Sequence, residues 1–265
     1  MTRRYVAVDW SGSLSHGGSQ TWLAAVEAGA LVSLVGPLAR ERVVEMLLEW
    51  VADETPVLAG LDFGFSFPAW YVRQLGCATA PELWRLAGEE GESWLARCEP
   101  PLWGRPGRPR GAEVQHRRTE AEIGARPKSV FQVGGAGSVG TGSIRGMPAL
   151  LRLREGGYGV WPFDRASASF VVEIYPRLLT GPGPKSRAAW RIGYLEALGW
   201  PSDLATRARC AATEDAFDAA VSALRLWQSG DELEALQSTP DGTDLLEGRI
   251  WSPQAPISSL ATRKH

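Results

Sequence analysis

A chain of 265 residues, 44% hydrophobic and 22% charged, has an ordinary globular composition with enough apolar material for a buried core, and its length suits one large domain with insertions or two small ones. A net charge of −2 excludes a molecule that is basic all over, although a local basic surface remains open to it. Cys77, Cys98 and Cys210 form no CxxC pair and read as reduced thiols, and no apolar run approaches a membrane span, so the expected setting is the cytoplasm, with no membrane partner.

Residues 4–10 alternate and end a first strand on Asp9, with "SGS" behind it. "QTWLAAVEAG" and "ALVSLVGPL" read as a hairpin. In "ARERVVEMLLEWVAD", Val43, Val44, Leu47, Leu48 and Val51 fall at helical spacing. "PVLAGLDFGFSFP" is a fourth strand running into Asp62. From Trp70 to about Pro127 the pattern loosens among Gly, Pro, Arg and four tryptophans (Trp70, Trp84, Trp94, Trp103), which suggests an inserted region with short helices. "VFQVGGAGSVGTGSIRGMPALLRL" is a glycine-rich stretch leading into a helix. "SFVVEIYPRLLTG" is a fifth strand carrying Glu173, and residues 188–199 and 207–228 are helical. The last stretch lacks periodicity and reads as a loose tail.

The acids invite one question. Desolvating a carboxylate at the end of a buried strand is costly, yet two strands end that way. If the first and fourth strands are neighbours, Asp9 and Asp62 lie side by side, and a helix packed across that edge would add Asp215 and Asp218, three apart in "TEDAFDAAVSAL". Such a cluster is unstable without a cation, and Mg²⁺ or Mn²⁺ suits oxygen ligands. Each acid also has a plain structural reading. Asp9 and Asp62 would be turn formers, Glu173 half of a buried salt bridge, and Asp215 a helix-dipole partner behind an N-cap at Thr213. The set taken together favours one shared site.

In order and spacing these segments resemble the domain of unknown function 429, a family of predicted nucleases with the RNase H-like fold. The matching motifs are "VAVDWSGS" (6–13), "GLDFGFSFP" (60–68), "RRTEAEI" (117–123), "VVEIYP" (171–176), "EDAFDAAVSAL" (214–224) and "EGRI" (247–250). The acidic helix also resembles the Asp-x-x-Asp-Ala helix of Holliday-junction resolvases, with Glu214 standing where many relatives carry Asp. The resemblance implies an α/β chain in which residues 1–253 form one RNase H-like domain. Its mixed five-stranded sheet would run β-β-β-α-β-α-β-α, flanked by helices, with an insertion at about 70–128 and a flexible tail at 254–265. It implies metal-dependent phosphodiester hydrolysis by a two-metal mechanism, with Asp9, Asp62 and Asp218 as ligands and Asp9 bridging two ions. Asp215 and Glu173 would be further ligands or orient a water. Arg117, Arg118 and Glu120 would contact a nucleic acid or a phosphorylated small molecule, with Ser11 behind Asp9.

Other segments leave alternatives open. "VGGAGSVGTGS" (133–143) would cradle phosphate or cover the site as a flexible loop; it lacks the lysine of a Walker motif. Residues 103–128 hold seven Arg or Lys against three Glu, which fits a phosphate contact surface or a solvated loop. His116 is a proton-transfer candidate or a surface histidine. An actin-like or sugar-kinase-like phosphotransferase would use "DWSGS" and "DFGFS" as phosphate loops but needs a second β-β-β-α half, which is not evident after residue 160. A binding module that keeps the fold without catalysis is the third reading.

Overall fold

A computed structural model describes residues 3–13, 20–124, 127–135, 137–165, 167–236 and 241–254. The expected tail at 254–265 lies almost entirely outside them. The described elements are, in order, β1 (Arg4–Asp9), β2 (Thr21–Glu27), β3 (Ala30–Leu38), α1 (Arg40–Ala52), β4 (Val57–Leu61), α2 (Ala69–Gln74), α3 (Ala80–Arg97), α4 (Arg118–Glu122), α5 (Val139–Glu155), β5 (Gly159–Val160), β6 (Phe170–Ile174), α6 (Pro176–Thr180), α7 (Ala188–Leu198), α8 (Leu204–Cys210), α9 (Glu214–Gln228), α10 (Gly230–Glu234), α11 (Asp244–Glu247) and β7 (Ile250–Trp251).

One mixed sheet runs β3-β2-β1-β4-β6-β5, with β7 beside β5 on the outer edge of β6. β1, β2 and β3 are antiparallel; β1, β4 and β6 are parallel. Because a strand alternates its side chains, a centrally placed strand buries both sets. Val6 and Val8 enter the layer formed with Val43 and Leu47 of α1, Leu83 and Trp84 of α3, and Met147 and Leu150 of α5. Tyr5 and Ala7 enter the opposite layer, with Leu179, Leu195 and Phe217 of α6, α7 and α9. On α9 the alanines 216, 219, 220 and 223 are buried at i, i+3, i+4 and i+7, and the helix packs across β1 and β2. Side chains this small let the helix axis approach the strands closely.

Three details differ from the expected layout. The sheet has seven strands, not five, because β5 and β7 are two-residue strands, too short to leave a periodic pattern. The region 70–128 holds the short helices α2 and α4 as expected, but also a long one. Its α3 has 18 residues and packs on α5, and Trp84 is fully buried with its indole N–H donating to the Phe65 carbonyl at 2.8 Å. The helical stretch 207–228 is two helices, broken at residues 211–213, where the Thr213 hydroxyl accepts from the Ala216 N–H at 3.0 Å and caps α9.

The last motif closes the fold. The buried Glu247 carboxylate accepts from the Ala69 N–H at 2.7 Å and the Arg118 N–H at 2.7 Å, so one side chain satisfies the first amides of both α2 and α4. Three residues on, the Ile250 N–H donates to the Thr119 hydroxyl at 3.0 Å.

Candidate functional site

The site begins where β1 and β4 end. Their parallel register pairs Val8 with Leu61, and the Asp62 N–H donates to the Val8 carbonyl at 3.1 Å. Asp9 and Asp62 are thus adjacent, and they share the strand parity of Ala7 and Leu58, whose side chains lie in the layer under α9. That helix brings in Asp218, which is 9% exposed, and Asp215 one turn nearer its start. The four aspartates are electrostatic neighbours: Asp62, Asp218 and Asp215 act on Asp9, and Asp218 acts on Asp62.

Their charges act on one another. Burial and then Asp62, Asp218 and Asp215 push the Asp9 carboxyl well above its ordinary range. Burial, Asp218 and Glu173 push Asp62 up to about 8. Burial also raises Asp218 and Asp215. A cation not anticipated from the motifs sits among them. The Lys185 ammonium forms an ion pair with Asp218 Oδ2, and its charge partly offsets the rise at all four aspartates. The other oxygen, Asp218 Oδ1, is buried without a hydrogen-bond partner. Among the described residues no three His, Cys, Asp or Glu side chains already stand close enough to hold a metal ion.

The raised carboxyls set a pH dependence. Between an unfolded aspartate's value, about 3.9, and the folded Asp62 value of about 8, the folded chain binds protons that the unfolded chain has released. Stability contributed by this cluster therefore falls as pH rises through that window. Without metal, the melting temperature is expected to drop from pH 5 to pH 8 more steeply in wild type than in Asp62→Asn. Parallel slopes in a melt series with chelator would count against it.

The loop after β1 is pinned in place. The Arg40 guanidinium donates to the carbonyls of Ser11 and Ser13, both at 3.0 Å, and the Ser11 hydroxyl accepts from the Ser13 N–H at 3.2 Å. Gly12 lies against the first turn of α5; a Cβ there would fall 2.4 Å from the Gly142 nitrogen. On the far side the Ser143 hydroxyl accepts from the Gly64 N–H at 2.9 Å, and Phe63 packs where a Cβ on Gly146 would sit. The glycine-rich stretch is therefore not a flexible cover from Val139 onward. It is the start of α5, and its glycines admit the two strand-end loops.

Two cavities meet at this point, sharing Trp10, Gly12, Gly137 and Ser138. One, of about 330 Å³, is bordered by Asp62, Phe63, Tyr175 and Lys128. The other, of about 550 Å³, is bordered by Asp9, Asp215, Ser11 and Arg145. The Trp10 indole Nε1 is buried between them without a partner. Ser138, the N-cap of α5, makes no side-chain cap, so the positive end of a 17-residue helix faces both cavities.

Glu173 is placed differently. It shares the strand parity of Val171, in the layer with α5, and its carboxylate accepts from the Phe65 N–H at 2.9 Å and from Arg117 at 2.8 Å. Arg117, 1% exposed, directs all five guanidinium N–H groups inward. They reach both Glu173 oxygens, Glu120 Oε1 twice, and the Glu247 carbonyl. Glu120 also accepts from the Arg117 backbone N–H at 2.9 Å. Arg117 and Glu120, expected to contact substrate, hold Glu173; all three border the same cavity as Asp62, whose carboxyl the Glu173 charge also pushes up. Arg118 pairs with Asp241 and Asp244. The exposed cations of the basic stretch are Arg105, Arg108, Arg110 and Lys128; Arg126 lies outside the described residues. His116 stands 3.6 Å from Glu120.

Comparison of the chain with models of known protein families, with curated proteins and with solved structures finds no match. Among the described residues no helix is long and apolar enough to cross a membrane.

Proposed function

We propose that this protein is a metal-dependent nuclease of the RNase H-like class, acting in the cytoplasm, and that its resemblance to the domain of unknown function 429 reflects membership of that family. One observation carries the reading: aspartates from two adjacent parallel strand ends and from the helix across them are electrostatic neighbours beside two adjoining cavities, and one buried oxygen among them, Asp218 Oδ1, has no hydrogen-bond partner among the described residues. The antiparallel β1-β2-β3 followed by parallel β4 and β6, in the order 3-2-1-4-6, is the arrangement expected of that class.

By donor type, though not by their present spacing, the residues suit the group implied. Carboxylate oxygens without nitrogen or sulfur favour Mg²⁺ or Mn²⁺, and Asp218 Oδ1 is an acceptor lacking only a cation. Asp9, Asp62 and Asp218 would hold it, with Asp215 at the rim. When bound, such an ion lowers the pKa of a water and stabilises an oxyanion leaving group. The chain's own residues do the rest. The N-terminus of α5 faces the cleft and favours phosphate. Arg145 borders the larger cavity while paired with Glu92 at 2.6 and 2.8 Å, and Arg40 lies close enough for the two charges to repel, so the surplus positive charge near the cavity comes from Arg40. Arg117 keeps Glu173 and the Phe65 loop rigid behind Asp62.

The test is incubation with labelled single-stranded, duplex and branched DNA and RNA, in Mn²⁺ or Mg²⁺ and in chelator. Ion-dependent cleavage of one of these is the expected result. Mn²⁺ binding without cleavage of any polymer would move the substrate to a small phosphorylated compound. Neither binding nor cleavage would leave a binding module.

A further inference from the structure

We propose that Lys185 is the resident counter-cation of the aspartate cluster and competes with a divalent ion for Asp218. The inference rests on the metal reading above and adds the residue that sets its affinity.

The choice of residue is informative. Of the 28 basic side chains, three are lysines (Lys128, Lys185 and Lys264), leaving 25 arginines. Both lysines among the described residues reach the cleft, Lys128 at the smaller cavity and Lys185 at the acids. An arginine spreads its charge over a planar fork shaped for bidentate pairing, whereas a lysine offers a compact, strongly hydrated point charge. Within a nest of carboxylates the ammonium is the side chain most like a small hard cation. Lys185 takes one Asp218 oxygen and leaves the other empty, so the aspartate is half satisfied.

The backbone around Lys185 is anchored to the helix that carries Asp218. The Lys185 N–H donates to the Gly183 carbonyl at 3.0 Å, and its own carbonyl accepts from Arg191 Nη1 at 2.5 Å. Arg191, buried, also donates to the carbonyls of Ala211 at 2.8 Å and Ala212 at 3.1 Å, immediately before the cap of α9. Arg191 thus ties the Lys185 backbone to the residues that precede α9, while the long lysine side chain has only its Asp218 contact to give up. Without metal the ammonium holds the acids together. An arriving ion takes Asp218, and the ammonium swings toward solvent or toward the phosphate.

The experiment is calorimetric titration of Mn²⁺ into the full chain, with thermal melts in chelator, for wild type, Lys185→Met and Lys185→Arg. The Lys185→Met protein is expected to melt lower without metal, to be rescued by Mn²⁺, and to bind Mn²⁺ roughly tenfold more tightly, as for loss of a partly buried competing charge. Lys185→Arg should keep more of the metal-free stability. A second readout needs no variant. In wild type, Mn²⁺ should raise the labelling of Lys185 by an amine reagent severalfold, read by mass spectrometry. Equal or weaker Mn²⁺ affinity in Lys185→Met, or labelling unchanged at saturating Mn²⁺, would overturn the competition while leaving the metal site standing. Mn²⁺ binding by none of the proteins would remove the metal reading itself, and the competition with it.

Discussion

Asp9→Asn is expected to lower ion-dependent cleavage at least about a hundredfold, the scale of losing one charge-stabilising group at a reacting centre, while making the metal-free protein more stable. The two effects share a cause. Asp9 lies at the end of a central strand, and the charges of Asp62, Asp218 and Asp215 all oppose its ionisation. An amide of the same shape keeps the packing, removes one of the repelling charges and withdraws one of the carboxylates proposed to hold the ion. Initial rates at saturating Mn²⁺ and melts in chelator at about pH 8.5, where the acids are most charged, measure both. Lost activity with an unchanged or lower melting temperature would mean that the mutual repulsion is not real.

Arg117→Ala is expected to destabilise the fold by about 3–5 kcal/mol, the cost of breaking a buried ion pair from one side. Its loss strands Glu173 and Glu120, both buried, and frees the Glu247 carbonyl. Lys is a poor replacement, since three ammonium donors cannot serve the five contacts that the guanidinium makes. Urea unfolding checks the value. A loss below about 1 kcal/mol would place Arg117 among surface ion pairs, against its burial.

What was legible in the chain followed from local pattern. β1 to β4, β6, α1 and α9 each carry apolar periodicity over five or more residues. The two strand-end aspartates stood out because an acid closing an apolar run is chemically odd. What escaped depends on distant partners. Lys185 meets Asp218 across 33 residues, and nothing near "GPGPKSR" marks it; the scarcity of lysine was the one available signal. Arg117 read as part of a basic loop because a buried arginine and a solvated one look alike until their partners, 56 and 130 residues away, are in place. The glycines of α5 suggested mobility, whereas they serve close packing against Gly12 and Phe63.

The position of Glu247 has a consequence for synthesis. The residues that start α2 and α4, and the outer edge of β6 beside Glu173, wait for partners at 247–251. A chain still being translated therefore carries Asp9 and Asp62 well before it gains Asp215 and Asp218, and gains the support at 247–251 later still.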